Sequence, residues 1–215
     1  MKKCTIETIE EAIKNFRPGV LGVDHMYSVA ITLMERDGQI HVLFEKRAET
    51  LNTQPGEVSF PGGAIEEGES PREAAFRETL EELRIPADNL TILKNMGFMV
   101  TRYGAAIHCY LAYIEDMTLE EIDPNPDEVG SLFTVPLRYF LDVEPETYTL
   151  EFFKGEQKDD FPYELIRDGY KYKWRSVQDL VEFYRYDDHG KERVIWGFTA
   201  KMMRNVAETL RTRGV

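Results

Sequence analysis

The sequence is poor in the residues that staple small or secreted proteins. Its 215 residues include two cysteines, Cys4 and Cys109, too few for a disulfide framework or a four-ligand zinc site. Both read as ordinary thiols of a reducing compartment, so the cytoplasm is the expected location. Four histidines, His25, His41, His108 and His189, are scattered with no close pair at a zinc-ligand spacing, and His41 and His108 are expected as strand residues. No apolar run approaches the ~18–20 residues that cross a bilayer. The opening Met1-Lys2-Lys3-Cys4-Thr5 passes straight into Glu7, Glu10 and Glu11, without the apolar stretch of a secretory signal. Positive charge is also scarce: 26 Lys and Arg against 39 Asp and Glu give a net charge of -13. Nucleic acid and anionic membranes are therefore not expected as partners, because both need a cationic surface. A small anionic ligand remains open, provided a few Arg or Lys or a metal ion gather positive charge locally.

What is present is an ordinary globular composition, 42% hydrophobic. At ~150 residues per domain the chain reads as one domain, residues 1–215, with embellishments. No internal repeat or low-complexity stretch occurs. Ile6, Ile9, Ile13 and Phe16 predict a short amphipathic helix over about 5–16, ended by Arg17-Pro18-Gly19. Tyr27–Met34 and Gln39–Glu45 read as strands joined through Asp37-Gly38, a hairpin signal. Residues 49–61 form a polar loop ending at Pro61-Gly62-Gly63. Ser70-Pro71-Arg72-Glu73 then combines an N-cap Ser, a Pro at the first helical position and a capping-box Glu, and the helix runs through Leu83 to the stop at Pro86. Strands are expected over 91–101, 105–114 and 129–135, with a helical turn at 138–141. An extended or inserted segment, about 142–193, is rich in aromatics and is expected to hold strands or a hairpin with a helix near 177–184. Its aromatics suit either a homodimer contact or a substrate lid. An amphipathic helix over 195–211 closes the chain. The pattern implies an α/β (α+β) sandwich, with a mixed sheet between helices.

Glu78, Glu81 and Glu82 carry the chemical signal. Their i, i+3, i+4 spacing places all three within about one third of a helix circumference, opposite a core-facing stripe of Phe76, Leu80 and Leu83. Like charges so placed destabilise a helix by a few tenths of a kcal/mol. A hard divalent cation reverses that sign, since carboxylate oxygens are the ligands Mg²⁺ prefers. A solvated acidic face is the competing reading. It is weakened by Gly62-Gly63, which lets a ligand approach the main chain closely, and by Arg77, a rigid fork beside the carboxylates.

The run Gly63 to Ile85 resembles the Nudix box: Gly, five residues, Glu, seven residues, then Arg-Glu-apolar-any-Glu-Glu-any-Gly-apolar. Gly63, Glu69, Arg77, Glu78, Glu81, Glu82 and Ile85 match. A chance match is rarer than about 1 in 10⁴ for a chain this long, which outweighs the acidic-face reading. Thr79 stands at an aliphatic position and Arg84 replaces the late Gly. Upstream, Leu43, Arg47, Gly56 and Phe60 to Gly63 fit the extended motif of the coenzyme A diphosphatase subfamily, with Glu45, Ala48 and Asn52 in place of its Thr, Ser and second Arg. Residues 195–200 look like the same subfamily's entry into its last helix.

The resemblance implies a Nudix-type α/β/α sandwich and hydrolysis of a nucleoside-diphosphate-linked small molecule. Coenzyme A or an acyl-CoA is the first expectation, with 3′,5′-ADP and 4′-phosphopantetheine as products. An ADP-ribose or other nucleoside-diphosphate-sugar pyrophosphatase is the alternative, and a non-catalytic Nudix-fold ligand sensor is a third. By the resemblance, Glu78, Glu81 and Glu82 hold one or more Mg²⁺ or Mn²⁺, with the Gly63 carbonyl as a further ligand and Arg77 orienting a carboxylate. Arg47 meets the substrate's phosphates or braces the loop. The general base comes from the box glutamates or from Glu128, in the loop entering the strand at Val129. Phe60 and Tyr103 are candidates for stacking on a base, and Trp196 is expected in the core. Asn52 cannot match the bidentate phosphate contacts of Arg, which Lys46 or Arg102 would have to replace.

Overall fold

In the computed structural model, residues 4–16, 19–152, 161–171 and 177–215 are described. Helix α1 (Ile6–Ile13) is shorter than the expected 5–16, and its expected stop at Arg17-Pro18 lies outside the described residues. Thr5 and Thr8 close a capping box on it, while Ile6, Ile9 and Ile13 stay exposed. Strands β1 (His25–Arg36) and β2 (Gln39–Arg47) form the expected hairpin. Asp37 and Gly38 both take positive φ, 53° and 71°, as a two-residue type I′ turn requires. The loop after β2 is interrupted by β3 (Val58–Ser59), which pairs with β2, and leads into β4 (Gly62–Ala64), which pairs with β1. Then come α2 (Pro71–Leu83), β5 (Leu90–Val100), β6 (Ala105–Ile114), β7 (Val129–Pro136) and α3 (Leu137–Asp142).

The main sheet runs β3-β2-β1-β6-β5, with β4 also on β1 and β7 also on β2. Strands β1 and β6 are parallel and the other pairs antiparallel, so the sheet is mixed as expected. Successive strand residues point to opposite faces, and the core divides accordingly. Ile31, Leu33, Val42, Phe44, Phe133 and Val135 face one cluster, which α3 enters with Leu137, Phe140 and Leu141. Ala30, Met34, Leu43, Tyr110, Ala112 and Ile114 face the other, against Ala75 and Leu83 of α2. Full burial of side chains such as Phe44 or Leu83 contributes roughly 1.5–3 kcal/mol each.

Three further strands, β8 (Glu146–Phe152), β9 (Val177–Asp188) and β10 (Lys191–Trp196), form a separate antiparallel sheet in the order β10-β9-β8. Residues 177–184 are therefore strand and not the expected helix. Helix α4 (Gly197–Thr212) starts two residues later than expected, because Ile195 and Trp196 finish β10. It covers the same face of the main sheet as α3, through Ala200, Met203, Val206 and Ala207. Trp196 is not core. It is 41% exposed, stacked on Phe183 with ring centres 5.8 Å apart. The aromatics Phe153, Tyr172 and Trp174 lie outside the described residues.

Candidate active site

Local sequence fixes α2. Ser70 Oγ accepts from the Glu73 N–H at 3.3 Å, and Glu73 Oε2 accepts from the Ser70 N–H at 2.8 Å, which pairs two otherwise orphaned donors. At the far end Arg84 takes φ +51°, the left-handed closure usually given to Gly. Its Nη2 donates to Asn125 Oδ1 at 2.9 Å, and the Asn125 N–H donates to the Glu82 carbonyl at 2.8 Å. The end of α2 is thereby docked on the loop that carries Glu128. Thr79, buried on the core side, donates to the Ala75 carbonyl at 2.7 Å, so its hydroxyl needs no other partner.

Arg77 is the hub of the outer carboxylates. Its Nε and Nη2 grip Glu69 at 2.9 and 3.0 Å, Nη1 reaches Glu78 at 2.8 Å and Glu81 at 3.1 Å, and Nη2 also donates to the Ala64 carbonyl at 3.1 Å. The guanidinium holds the Glu69 carboxyl below the usual range. Burial pushes Glu78 up despite Arg77, helped by the nearby charges of Glu81 and Glu128.

Glu82 faces inward instead. It is buried, and its Oε2 accepts from the Gly62 N–H at 2.7 Å. Behind it stands Glu45, which the sequence marked as a departure from the extended motif and not as a site residue. On β2 it shares a face with Leu43, toward α2. It is 1% exposed, and its Oε1 accepts from Ser59 Oγ at 2.8 Å across the β2–β3 pair. Desolvation, first of all, pushes Glu82 up to about 9 and Glu45 to about 7, with the Glu45 charge the next influence on Glu82. Glu128 adds to both; its Oε1 accepts from Asn125 Nδ2 at 3.2 Å, and its backbone carbonyl accepts from the Ala48 N–H at 2.8 Å.

The glycine pair makes room for this grouping. A Cβ on Gly62 would lie 2.3 Å from the Ser28 carbonyl oxygen, and one on Gly63 would lie 2.4 Å from the Glu78 carboxyl carbon. Both side chains are sterically forbidden without movement.

Among the described residues, no three His, Cys, Asp or Glu side chains converge as a closed cage. Glu78 and Glu81 turn to Arg77, while Glu82 turns to Gly62. The donor set nevertheless suits a hard divalent cation: it is all oxygen, and among the described residues Glu45 Oε2 is buried without a hydrogen-bond partner and neither Glu45 nor Glu82 has an ion-pair partner.

The remaining expected residues separate. Arg47 stands at the β2–β7 register shift; its N–H donates to the Glu57 carbonyl, its carbonyl accepts from Gly56, and its Nε reaches the Thr53 carbonyl at 3.4 Å. It braces the loop, and its charge reaches Glu45. Phe60 is no base-stacking surface. It is 2% exposed, packed on Phe44 with ring centres 5.1 Å apart. Tyr103 is exposed on the β5–β6 turn, with the Arg102 guanidinium 5.3 Å from its ring centre. Arg102 pairs with Asp179 and Lys46 with Glu49.

A family profile described as NUDIX domain matches residues 24–147. Nudix hydrolase 3 of Caenorhabditis elegans is 38% identical over 112 residues, 51% of this chain and 47% of the relative. The peroxisomal coenzyme A diphosphatase NUDT7 of Mus musculus is 31% identical over 123 residues, 57% and 50% of the two chains. The peroxisomal coenzyme A diphosphatase ndx-8 of Caenorhabditis elegans is 33% identical over 141 residues, 61% and 59%. The chain spans about half the length of the curated relatives it matches. The NUDIX domain of Shewanella oneidensis NrtR, solved with ADP ribose, is 20% identical with a TM-score of 0.44, covering 65% of this chain and 88% of that one. No helix among the described residues is long and apolar enough to cross a membrane.

Proposed function

The chain belongs to the NUDIX domain family, and from that premise we propose that it is a metal-dependent hydrolase of a nucleoside-diphosphate-linked compound, cleaving the pyrophosphate of coenzyme A or an acyl-CoA. One observation carries the reading: two buried carboxylates without an ion-pair partner among the described residues, Glu82 and Glu45, stand beside a glycine pair and a helix whose outer carboxylates Arg77 already engages. The match of Leu43, Arg47, Gly56 and Phe60–Gly63 to the extended motif supports coenzyme A as substrate. So do the names of two relatives above 30% identity.

Glu78, Glu81 and Glu82 would hold Mg²⁺ or Mn²⁺, with the Gly63 carbonyl beside them. Such an ion supplies neutralisation of the pyrophosphate and a lower pKa for the attacking water. Arg77 keeps the outer carboxylates in place through its fork. Glu128 takes the proton from the water as its oxygen bonds to phosphorus, and the anhydride P–O bond breaks to release two phosphate monoesters. Arg47 offers charge to the leaving phosphate. Asn52 predicts a weak grip on the 3′-phosphate, so dephospho-coenzyme A is expected to be cleaved nearly as well as coenzyme A.

The test is product analysis on coenzyme A, dephospho-coenzyme A, ADP-ribose and NADH side by side with Mg²⁺. Release of 3′,5′-ADP and 4′-phosphopantetheine from coenzyme A supports the proposal. Preference for ADP-ribose replaces the substrate, and turnover of none of them removes the hydrolase reading.

A further inference from the structure

Glu45 is the acidic residue that the helix-borne motif does not explain. It lies on β2, 33 positions before Glu78, where the motif that this chain resembles has Thr. A hydroxyl there would pair with Ser59 and bring no charge. The carboxylate brings one into a place that water does not reach: it is 1% exposed, Ser59 Oγ fixes Oε1 at 2.8 Å, and Oε2 has no hydrogen-bond partner among the described residues. The side chain shares the α2-facing side of β2 with Leu43, which packs with Ala75 and Leu83, and the charges acting on Glu45 are those of Arg47, Glu128 and Glu78, while Glu82 feels Glu45 in turn. A buried acceptor left without a donor is costly, and a buried charge more so. Among small ligands, a hard cation removes both costs at once, because it bonds to the free oxygen and neutralises the neighbours.

Resting on the metal-dependent reading above, we propose that Glu45 supplies its free Oε2 to the divalent cation that Glu82 binds, a ligand from the sheet facing those from the helix. Ser59 is then the positioning residue that holds Glu45 Oε1 and leaves Oε2 directed at the ion, in the way hydrogen bonds commonly orient metal-binding carboxylates. The ion would tie β2 to α2, so metal binding also raises resistance to unfolding.

The experiment is Mn²⁺ binding to the metal-free full chain, with free Mn²⁺ read by electron paramagnetic resonance, for wild type, Glu45→Gln and Glu82→Gln. Gln keeps the size of Glu and a carbonyl for Ser59, so a purely structural Glu45 predicts unchanged Mn²⁺ affinity. The proposal predicts at least about tenfold weaker binding and a smaller Mn²⁺-induced rise in Tm. Wild-type affinity in Glu45→Gln with loss in Glu82→Gln overturns Glu45 ligation and leaves the hydrolase reading standing. Wild-type affinity in both overturns both. Glu45→Thr, the residue of the related motif, serves if the Gln variant does not fold, and the same loss is expected.

Discussion

Two groups of carboxylates gather about α2 and differ in their company. Glu69, Glu78 and Glu81 surround Arg77 within 2.8–3.1 Å, and their charge is answered by the fork. Glu82 and Glu45 lie one layer deeper, take single hydrogen bonds from Gly62 and Ser59, and have no cation of the chain at ion-pair distance among the described residues. The outer group builds the loop–helix junction. The inner pair keeps its charge available, and a folded chain tolerates that only where a proton or a metal ion completes it.

The largest effect expected from breaking this contrast is at Glu82. Glu82→Gln removes an inner charge and should lower kcat by about a hundredfold or more, since a metal ion contributes several kcal/mol of transition-state stabilisation; steady-state kinetics on coenzyme A would read it. Glu128→Gln comes next, with about a hundredfold loss, the lower end for a general base. Turnover equal to wild type in that variant would remove Glu128 from proton transfer.

Arg77→Lys attacks the outer group. A single ammonium cannot hold three carboxylates and the Ala64 carbonyl at once, and about 1–2 kcal/mol of stability should be lost in urea unfolding. The inner pair predicts a pH effect in chelated protein. Folded values near 7 and 9 lie above the ordinary carboxyl value, so the folded chain binds more protons than the unfolded chain between those limits. Their contribution to stability is therefore complete below about pH 4.3 and is lost as pH rises through 7 to 9. Metal-free Tm should fall between pH 6 and 8.5, and Glu82→Gln should flatten the slope. Smallest of all, Glu81→Gln touches a carboxylate that is 57% exposed and should change stability by less than about 0.5 kcal/mol.

The same contrast explains what was legible in the sequence. Helix α2 is written in neighbouring residues: Ser70, Pro71 and Glu73 start it and Leu83 ends it, whereas the inward turn of Glu82, away from Glu78 and Glu81, depends on Gly62 of β4. The Asp37-Gly38 hairpin is equally local. Glu45 was visible only as a charge where the related motif has Thr, because its partners come from β3 and α2, 14 and 37 positions away. Phe60 differs for a similar reason: it lies between β3 and β4, and only packing on Phe44, a residue of β2, buries its ring in the core. Val177, Leu180, Val181 and Tyr184 carry helical i, i+3, i+4, i+7 spacing, yet pairing with β8 and β10 makes the segment a strand. Tertiary pairing overrides a short pattern of this kind.

The most direct test of a cation-dependent diphosphatase built on these carboxylates is turnover of coenzyme A by wild-type protein stripped with chelator, then resupplied with Mg²⁺ in excess. The stripped protein is expected to release no 3′,5′-ADP, and added Mg²⁺ to restore its release. Equal product before and after stripping would contradict it.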